Sequence, residues 1–105
     1  MAVLLNLESE IFKALGHPTR IKIIELLKEG ELCVCVINEK LEQSQPNISQ
    51  HLSKLKKADL VKSRKEGLQV YYSLKDDEII DILELSKKII LKQINQTRQD
   101  ILKEN

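Results

Sequence analysis

Residues 44–55 read Ser-Gln-Pro-Asn-Ile-Ser-Gln-His-Leu-Ser-Lys-Leu, and this pattern predicts a short helix with two different faces. Pro46 suits the first helical turn, where its missing N–H costs no hydrogen bond, and Ser44 is placed to cap the helix. At about 100° per residue, three apolar side chains fall within about 60° of one another. They predict a stripe that faces the core and consists of Ile48, Leu52 and Leu55.

The remaining face of this predicted helix carries amides, hydroxyls and lysines. These residues are Gln50, Ser53, Lys54 and Lys57 on the outer face, and Asn47 and Ser49 on its flanks. Such groups near a helix N-terminus suit contacts with base edges and phosphates in a DNA major groove. Any solvated helix also has a polar outer face, so this interpretation depends on the neighbouring segments. His51 lies between the two faces, and either DNA contact or helix packing fits its position.

Length and composition limit the fold and function classes. A chain of 105 residues with 42% hydrophobic and 31% charged residues is typical of one globular domain, here residues 1–105. Charged residues interrupt every apolar run before the roughly 18 residues that a membrane span needs. The N-terminus lacks a signal-peptide pattern, and two cysteines only two positions apart do not form a disulfide framework. We therefore expect a cytoplasmic protein with no membrane partner.

The net charge of +1 is unevenly distributed along the chain. Residues 43–75 contain seven basic and two acidic residues, a net charge of +5, so the rest of the chain carries −4. A basic segment on a nearly neutral protein provides a local surface for phosphates. A basic run can also be an ordinary solvated surface, and the charge alone does not decide between the two.

The hydrophobic spacing predicts four helices before a hairpin. The first helix ends at Gly16, and Thr19 is placed to cap a second helix that ends near Gly30. A third helix is predicted over residues 31–41, and it leads through a short turn into the helix at residues 44–55. Helix, short turn and helix in this order predict a helix-turn-helix.

The spacing changes to that of β-strands after Asp59. Residues 60–65 and 69–74 are rich in β-branched or aromatic side chains and flank Gly67, which predicts a hairpin packed on the helices as a wing. Arg64 and Lys65 lie near its tip, within reach of DNA. A last helix is predicted from Asp76 to about residue 102. Its length of roughly 38 Å and its many apolar residues exceed the needs of one core, which indicates a partner subunit.

Five segments in this order resemble the ArsR/SmtB (arsenic-repressor) family of winged helix-turn-helix regulators over nearly the full chain. They are LGHPTRI at 15–21, ELCVC at 31–35, SQPNISQHL at 44–52, RKEG at 64–67 and VYYSL at 70–74. The resemblance implies a mainly α fold with a β-hairpin wing, in the order α-α-α-α-β-β-α. It also implies a repressor that binds an inverted-repeat DNA operator and is released by an inducer.

The resemblance further implies which residues carry these functions. It places Gln45, Asn47, Ser49, Gln50 and His51 of the recognition helix toward DNA and the wing residue Arg64 on the DNA backbone. It also implies a homodimer joined through the first and last helices. The apolar residues of those helices that we expect in the interface are Leu4, Leu7, Ile11, Ile82, Leu85 and Ile89.

Cys33 and Cys35 match the thiolate signature that the family uses to sense trivalent arsenic or antimony, or soft divalent metals. Thiolates are soft ligands, so this inducer class fits them, and DNA binding itself requires no cofactor. Two residues separated by two positions on an ideal helix point about 200° apart, so both thiolates reach one ion only if the helix start is unwound. The chain has no third cysteine, so further ligands must come from solvent, a small thiol or the other subunit.

Other interpretations of these residues remain open. The two cysteines also suit redox sensing through a disulfide or a sulfenic acid, or they are small hydrophobic core residues. A winged-helix module that binds another protein without reading DNA is a further alternative. An enzyme is not expected, because the sequence has no glycine-rich phosphate loop and no histidine paired with a nucleophile.

Overall fold

The computed structural model describes residues 1–104, and Asn105, the last residue of the predicted domain, lies outside the described residues. The predicted winged helix-turn-helix is confirmed, with one additional short strand and a 3-10 turn at Leu27–Glu29. The elements are α1 (Ala2–Leu15), α2 (Pro18–Leu26), β1 (Leu32–Cys33), α3 (Val34–Leu41), α4 (Gln45–Lys57), β2 (Val61–Glu66), β3 (Gln69–Leu74) and α5 (Glu78–Lys103).

The core lies where α2, α3 and α4 meet. The predicted stripe on α4 is confirmed, because Ile48, Leu52 and Leu55 are almost completely buried. They pack in one cluster with Ile23 and Ile37, from α2 and α3. Burying such side chains contributes about 1.5–3 kcal/mol each, so the core fixes the orientation of α4 and turns its polar face outward.

The starts of α2 and α4 show one wrong and one confirmed capping prediction. The hydroxyl of Ser44 accepts the backbone N–H of Asn47 at 3.3 Å, as predicted. Thr19 does not cap α2; the N-cap is His17, whose Nδ1 accepts the backbone N–H of Thr19 at 3.1 Å. Because proline disfavours helical geometry in the residue before it, Pro18 begins the helix and leaves His17 extended.

A three-stranded antiparallel sheet forms the wing, in the order β1-β3-β2. The prediction that the third helix begins at residue 31 was wrong, because Leu32 and Cys33 instead pair with Tyr72 and Tyr71 of β3. This strand pairing provides hydrogen-bond partners for backbone N–H and C=O groups that would otherwise pair within a helix. The hairpin turns at Gly67, whose φ of 61° lies in the left-handed region that glycine adopts without strain.

The molecule is more extended than a chain of this size folded on one core. Its radius of gyration is 17.0 Å, whereas about 13 Å is expected for a compact domain of 100 residues. Much of this extension follows from α5, in which only Ile79 and Leu83 are buried. Among residues 1–104, no helix combines the length and the hydropathy that crossing a lipid bilayer requires.

Candidate nucleic-acid interface and thiol site

The outer face of α4 presents polar side chains to solvent. All but one of the residues of α4 that the sequence predicted as DNA contacts are exposed, and the exception is His51. The exposed residues are Gln45, Asn47, Ser49, Gln50, Ser53 and Lys54. Within residues 1–104, only Asn47 of this group makes a side-chain hydrogen bond. The other amides, hydroxyls and the lysine can therefore meet a ligand without first losing a protein partner.

The side chain of Asn47 is held in place by a short hydrogen-bonded chain. Its amide Nδ2 donates to the Oε1 of Gln43, and the Nε2 of Gln43 donates to the hydroxyl of Thr19 at 2.9 Å. This chain connects the first turn of α4 to α2. Sequence reasoning missed Gln43, because nothing in the local pattern links it to a residue 24 positions earlier.

His51 is the one predicted DNA-contacting residue of α4 that packs inside the protein. It is 9% exposed, and its ring lies 4.4 Å from that of His17, centroid to centroid. The Nη1 of Arg20 lies 3.2 Å from the Nδ1 of His51, and the Nε of the same guanidinium donates to the backbone carbonyl of Ala14 at 2.6 Å. His51 therefore joins α4 to the end of α1 through Arg20, and this burial corrects the expectation that it faces DNA.

The surroundings of His51 favour the neutral imidazole. Burial lowers the pKa of His51, and the nearby charges of His17, Arg20 and Lys54 lower it further. Because a guanidinium can only donate, Nδ1 must accept and the ring proton then lies on Nε2. Protonation would replace this hydrogen bond with a repulsion between two cations.

The two basic residues near the tip of the wing have different surroundings. Lys65 is exposed and has no ion pair among the described residues. Arg64 donates to both carboxylate oxygens of Glu31, from Nη2 at 2.6 Å and from Nε at 2.8 Å. Its Nη1 also donates to Glu66 at 2.9 Å, and its guanidinium lies 4.6 Å from the ring centroid of Tyr71.

Arg64 and Glu31 shift each other's protonation equilibria, as expected for a bidentate pair. The hydrogen bonds that Glu31 accepts from Arg64 lower the pKa of Glu31, and the hydrogen bonds that Arg64 donates to Glu31 and Glu66 raise the pKa of Arg64. Glu31 therefore remains a carboxylate throughout the neutral pH range. The sequence alone does not predict this pair, because the local pattern places residue 31 in a helix and not beside the wing.

The two cysteines lie where β1 ends and α3 begins. Cys33 is buried and precedes α3 as its N-cap with extended geometry, while Cys35 is exposed in the first turn. Their sulfur atoms form a disulfide, with the Cα atoms 5.2 Å apart. The sulfurs converge because only Cys35 lies within the helix, which removes the obstacle that an ideal helix would impose. The Oε1 of Gln69 lies 3.0 Å from the sulfur of Cys33, and a reduced thiol there can donate to it.

Comparisons with known proteins agree with the winged helix-turn-helix fold. Residues 17–63 match the model of the bacterial regulatory protein, arsR family. An uncharacterised HTH-type transcriptional regulator of Methanocaldococcus jannaschii is 51% identical over 78 residues, which cover 73% of this chain and 88% of that protein. The chain belongs to the arsR family. It is a winged-helix, DNA-binding transcriptional regulator and not an enzyme.

Two further comparisons concern an arsenic regulator and a solved structure. The arsenical resistance operon repressor of Escherichia coli is 48% identical over 66 residues, 62% of this chain, but the match spans only 56% of that repressor. The solution structure of a homodimeric winged helix-turn-helix domain from Mycobacterium bovis, a possible ArsR-family regulator, superposes with a TM-score of 0.79. It is 27% identical and the match covers 90% of this chain and 88% of that one.

The helices at the two ends of this arsR-family chain carry exposed apolar side chains. Among the residues predicted for the dimer interface, Leu4, Leu7, Leu85 and Ile89 are more than half exposed. Ile11 and Ile82 are partly buried and line an open groove of about 800 Å³ between α1, α4 and α5. An apolar surface of this extent is typical of an interaction site and costs solubility when it is uncovered.

The thiol site offers two sulfur ligands and no complete metal shell. Among residues 1–104, no cluster of three or more His, Cys, Asp or Glu side chains could hold a metal ion. Asn38, one turn after Cys35, has a buried Oδ1 with no hydrogen-bond partner in the described part of the chain. Two converging thiolates fit partial ligation of a soft ion, with the remaining ligands supplied from outside the chain.

Proposed function

We propose that residues 1–105 form one DNA-binding and dimerisation domain that represses transcription by binding an inverted-repeat operator as a homodimer. The observation that carries this proposal is the exposed polar face of α4, held outward by a core stripe on the opposite side; apart from Asn47, its predicted DNA contacts have no side-chain hydrogen bond among the described residues. In a helix-turn-helix dimer, each recognition helix enters one major groove, with half-sites about one helical turn apart or a multiple of that.

The exposed residues of α4 and the wing divide the contacts between bases and phosphates. Gln50 and Asn47 have amide groups that can donate and accept on base edges, while Lys54 and Lys65 suit phosphates. Gln45, Ser49 and Ser53 complete the proposed set on α4, and Arg64 is its wing arginine. His51 is left out of this set because it is buried.

The homodimer is supported by what the single chain leaves uncovered. The apolar side chains of α1 and α5 lie on the surface, and the radius of gyration exceeds that of a compact domain. A second copy packed on α1 and α5 would cover both apolar faces at once. The homodimeric M. bovis domain, with a TM-score of 0.79, has the same fold and supports this arrangement.

Trivalent arsenic or antimony is the inducer class that we propose for Cys33 and Cys35, with soft divalent metals as the related possibility. The similarity to the E. coli arsenical resistance repressor and the convergence of the two sulfurs support it. The reduced thiols would hold the ion at the junction of β1 and α3. Because α3 packs against α4 in the same core, a change there reaches the recognition helix.

The contact between the two sulfur atoms favours a second candidate, in which the same pair senses oxidants. Hydrogen peroxide would accept two electrons from the two thiols: its O–O bond would break, the S–S bond would form, and the two thiol protons would leave in two molecules of water. The exposed Cys35 is accessible to a peroxide, whereas Cys33 is buried. Both candidates use the same residues and the same route to α4.

Fluorescence anisotropy on a labelled duplex from upstream of its own coding sequence tests the proposal. We expect the reduced protein to bind with two protomers per duplex, and arsenite added to the complex to release the DNA. Cys33→Ser should retain DNA binding and lose release. If the reduced protein ignores arsenite but releases DNA on peroxide addition, the oxidant-sensing candidate replaces the metalloid one; release of the Cys33→Ser protein by both reagents would remove these thiols from the mechanism.

A further inference from the structure

The outer face of the wing sheet brings the thiol site and the wing arginine together. In the strand register, Cys33 lies opposite Tyr71, and Tyr71 lies opposite Arg64 on its other side. Residues directly opposite each other in a sheet point to the same face, as do residues two apart on one strand. Glu31, two residues before Cys33, reaches Arg64 across Tyr71 by this arrangement.

The contacts of Arg64 occupy three of the five guanidinium N–H groups that could bind a phosphate. Glu31 takes the edge formed by Nε and Nη2, Glu66 binds Nη1, and Tyr71 covers one face of the guanidinium. The three charged groups carry a net charge of −1, although the surrounding segment is basic. A DNA phosphate that approaches Arg64 therefore competes with two carboxylates for the guanidinium.

We propose that Glu31 is an intramolecular competitor that occupies Arg64 in place of DNA phosphate. This inference rests on the proposed DNA-binding function and concerns how tightly that function operates. Contact with the DNA backbone at the wing then requires Arg64 to exchange one anion for another. Only Leu32 separates Glu31 from Cys33, so the group that holds Arg64 lies next to the thiol site.

The competition predicts an increase in DNA affinity when the competing charge is removed. Glu31→Gln keeps the size of the side chain and removes its charge, so Arg64 becomes available to phosphate. We expect binding to tighten about 1.5- to 5-fold, a range set by the modest strength of exposed ion pairs. The slope of log affinity against log salt should also steepen, by up to about one, since one more phosphate charge is neutralised without releasing a carboxylate.

Three further variants separate competition from other effects of charge. Glu29→Gln removes the same charge nearby from an exposed residue. Among the described residues, Arg64 pairs with Glu31 and Glu66 and not with Glu29, so this variant should change affinity far less. Glu66→Gln should tighten binding less than Glu31→Gln, because Glu66 makes one hydrogen bond to Arg64 and Glu31 makes two. In an Arg64→Ala background, Glu31→Gln should have no remaining effect.

The experiment measures anisotropy of the reduced full chain on the upstream duplex at several salt concentrations, for these variants and the double variant. Tighter binding and a steeper slope that both vanish without Arg64 would support the competition. Weaker binding by Glu31→Gln would show that Glu31 positions Arg64 for DNA, and tightening that persists in Arg64→Ala would show a general charge effect; either result overturns the inference. If the wild-type protein binds no DNA, it is the proposed function that fails.

Discussion

The recognition helix α4 and the wing both carry groups suited to DNA, but they differ in how available those groups are. On α4, Gln50, Ser53 and Lys54 have no protein partner among the described residues. On the wing, Arg64 is bound by two carboxylates and covered by Tyr71. The helix is prepared for contact, whereas the wing must break contacts before it can make new ones.

This difference follows from how each element is held. A buried stripe in the core fixes α4, so its outer face has no structural role and remains available. The wing has little core beneath its tip, and ion pairs and cross-strand neighbours hold its side chains instead. We therefore expect α4 to supply sequence discrimination and the wing to supply a smaller, adjustable contribution to affinity.

The largest expected effect is on stability and tests the separation of the two faces of α4. Leu52→Ala removes a fully buried side chain from the core and should lower the free energy of unfolding by about 2–5 kcal/mol. Ser53→Ala, one residue along on the exposed face, should change it by less than about 0.5 kcal/mol. Urea unfolding followed by circular dichroism measures both. Similar losses for the two variants would mean that α4 has no separate faces.

Loss of base discrimination should follow when an available group of α4 is removed. Gln50→Ala should narrow the difference in binding free energy between operator and scrambled duplex by about 1–3 kcal/mol, the value of one good base contact. Stability should not change, because the side chain is exposed. Competition anisotropy with the two duplexes measures the difference. An unchanged ratio of the affinities for operator and scrambled duplex would mean that Gln50 is a solvated surface residue and contacts no base.

The wing should contribute without regard to sequence. Arg64→Ala should weaken binding to operator and scrambled duplex equally and reduce the salt slope by less than about one, because Glu31 and Glu66 already neutralise part of the charge of Arg64. The loss of DNA affinity should be smaller than for the removal of an unpaired arginine, because Arg64 has to break its ion pairs with Glu31 and Glu66 before it binds a phosphate. Lys103→Ala, which removes a positive charge at the end of α5, serves as the control for the loss of one positive charge away from the wing. A loss confined to the operator would place Arg64 on a base.

The smallest effect concerns pH and the contact between Arg20 and His51. Because the pKa of His51 is lowered in the folded protein, its contribution to stability is fully present above the ordinary value of about 6.5. It is lost as the pH falls through the lowered folded value. We expect His51→Gln, whose amide oxygen can still accept from Arg20, to flatten the decline in stability between about pH 7 and 5. Thermal unfolding across this pH range measures the stability of the wild-type protein and of His51→Gln. Equal declines in stability for the two proteins would contradict this role of His51.

Local pattern was enough to predict much of the fold. The helical spacing of Ile48, Leu52 and Leu55 predicted the buried face of α4, and Gly67 marked the turn of the wing. The cap of α2 could also have been found, because Pro18 at the start of a helix makes the preceding residue the N-cap. These features depend on neighbours within a few residues, which is why the sequence displays them.

The features that sequence analysis missed depend on contacts between distant residues. β1 has only two residues, and it is a strand because β3, almost 40 residues later, pairs with it. Its position determines where Glu31 lies and therefore which anion meets Arg64. The burial of His51 similarly depends on Arg20, 31 residues earlier, and not on its own helix. The spacing of residues within one helix or strand does not predict such distant partners.

The most direct test of the central claim is the salt dependence of binding to the upstream duplex, measured by anisotropy in competition with a scrambled duplex. If α4 and the wing form a DNA interface, the reduced protein binds the upstream duplex at least about 1,000-fold more tightly than the scrambled one. Both affinities should fall steeply with salt, because phosphate contacts contribute to each. Equal affinity for the two duplexes, or no binding at low salt, would contradict the account.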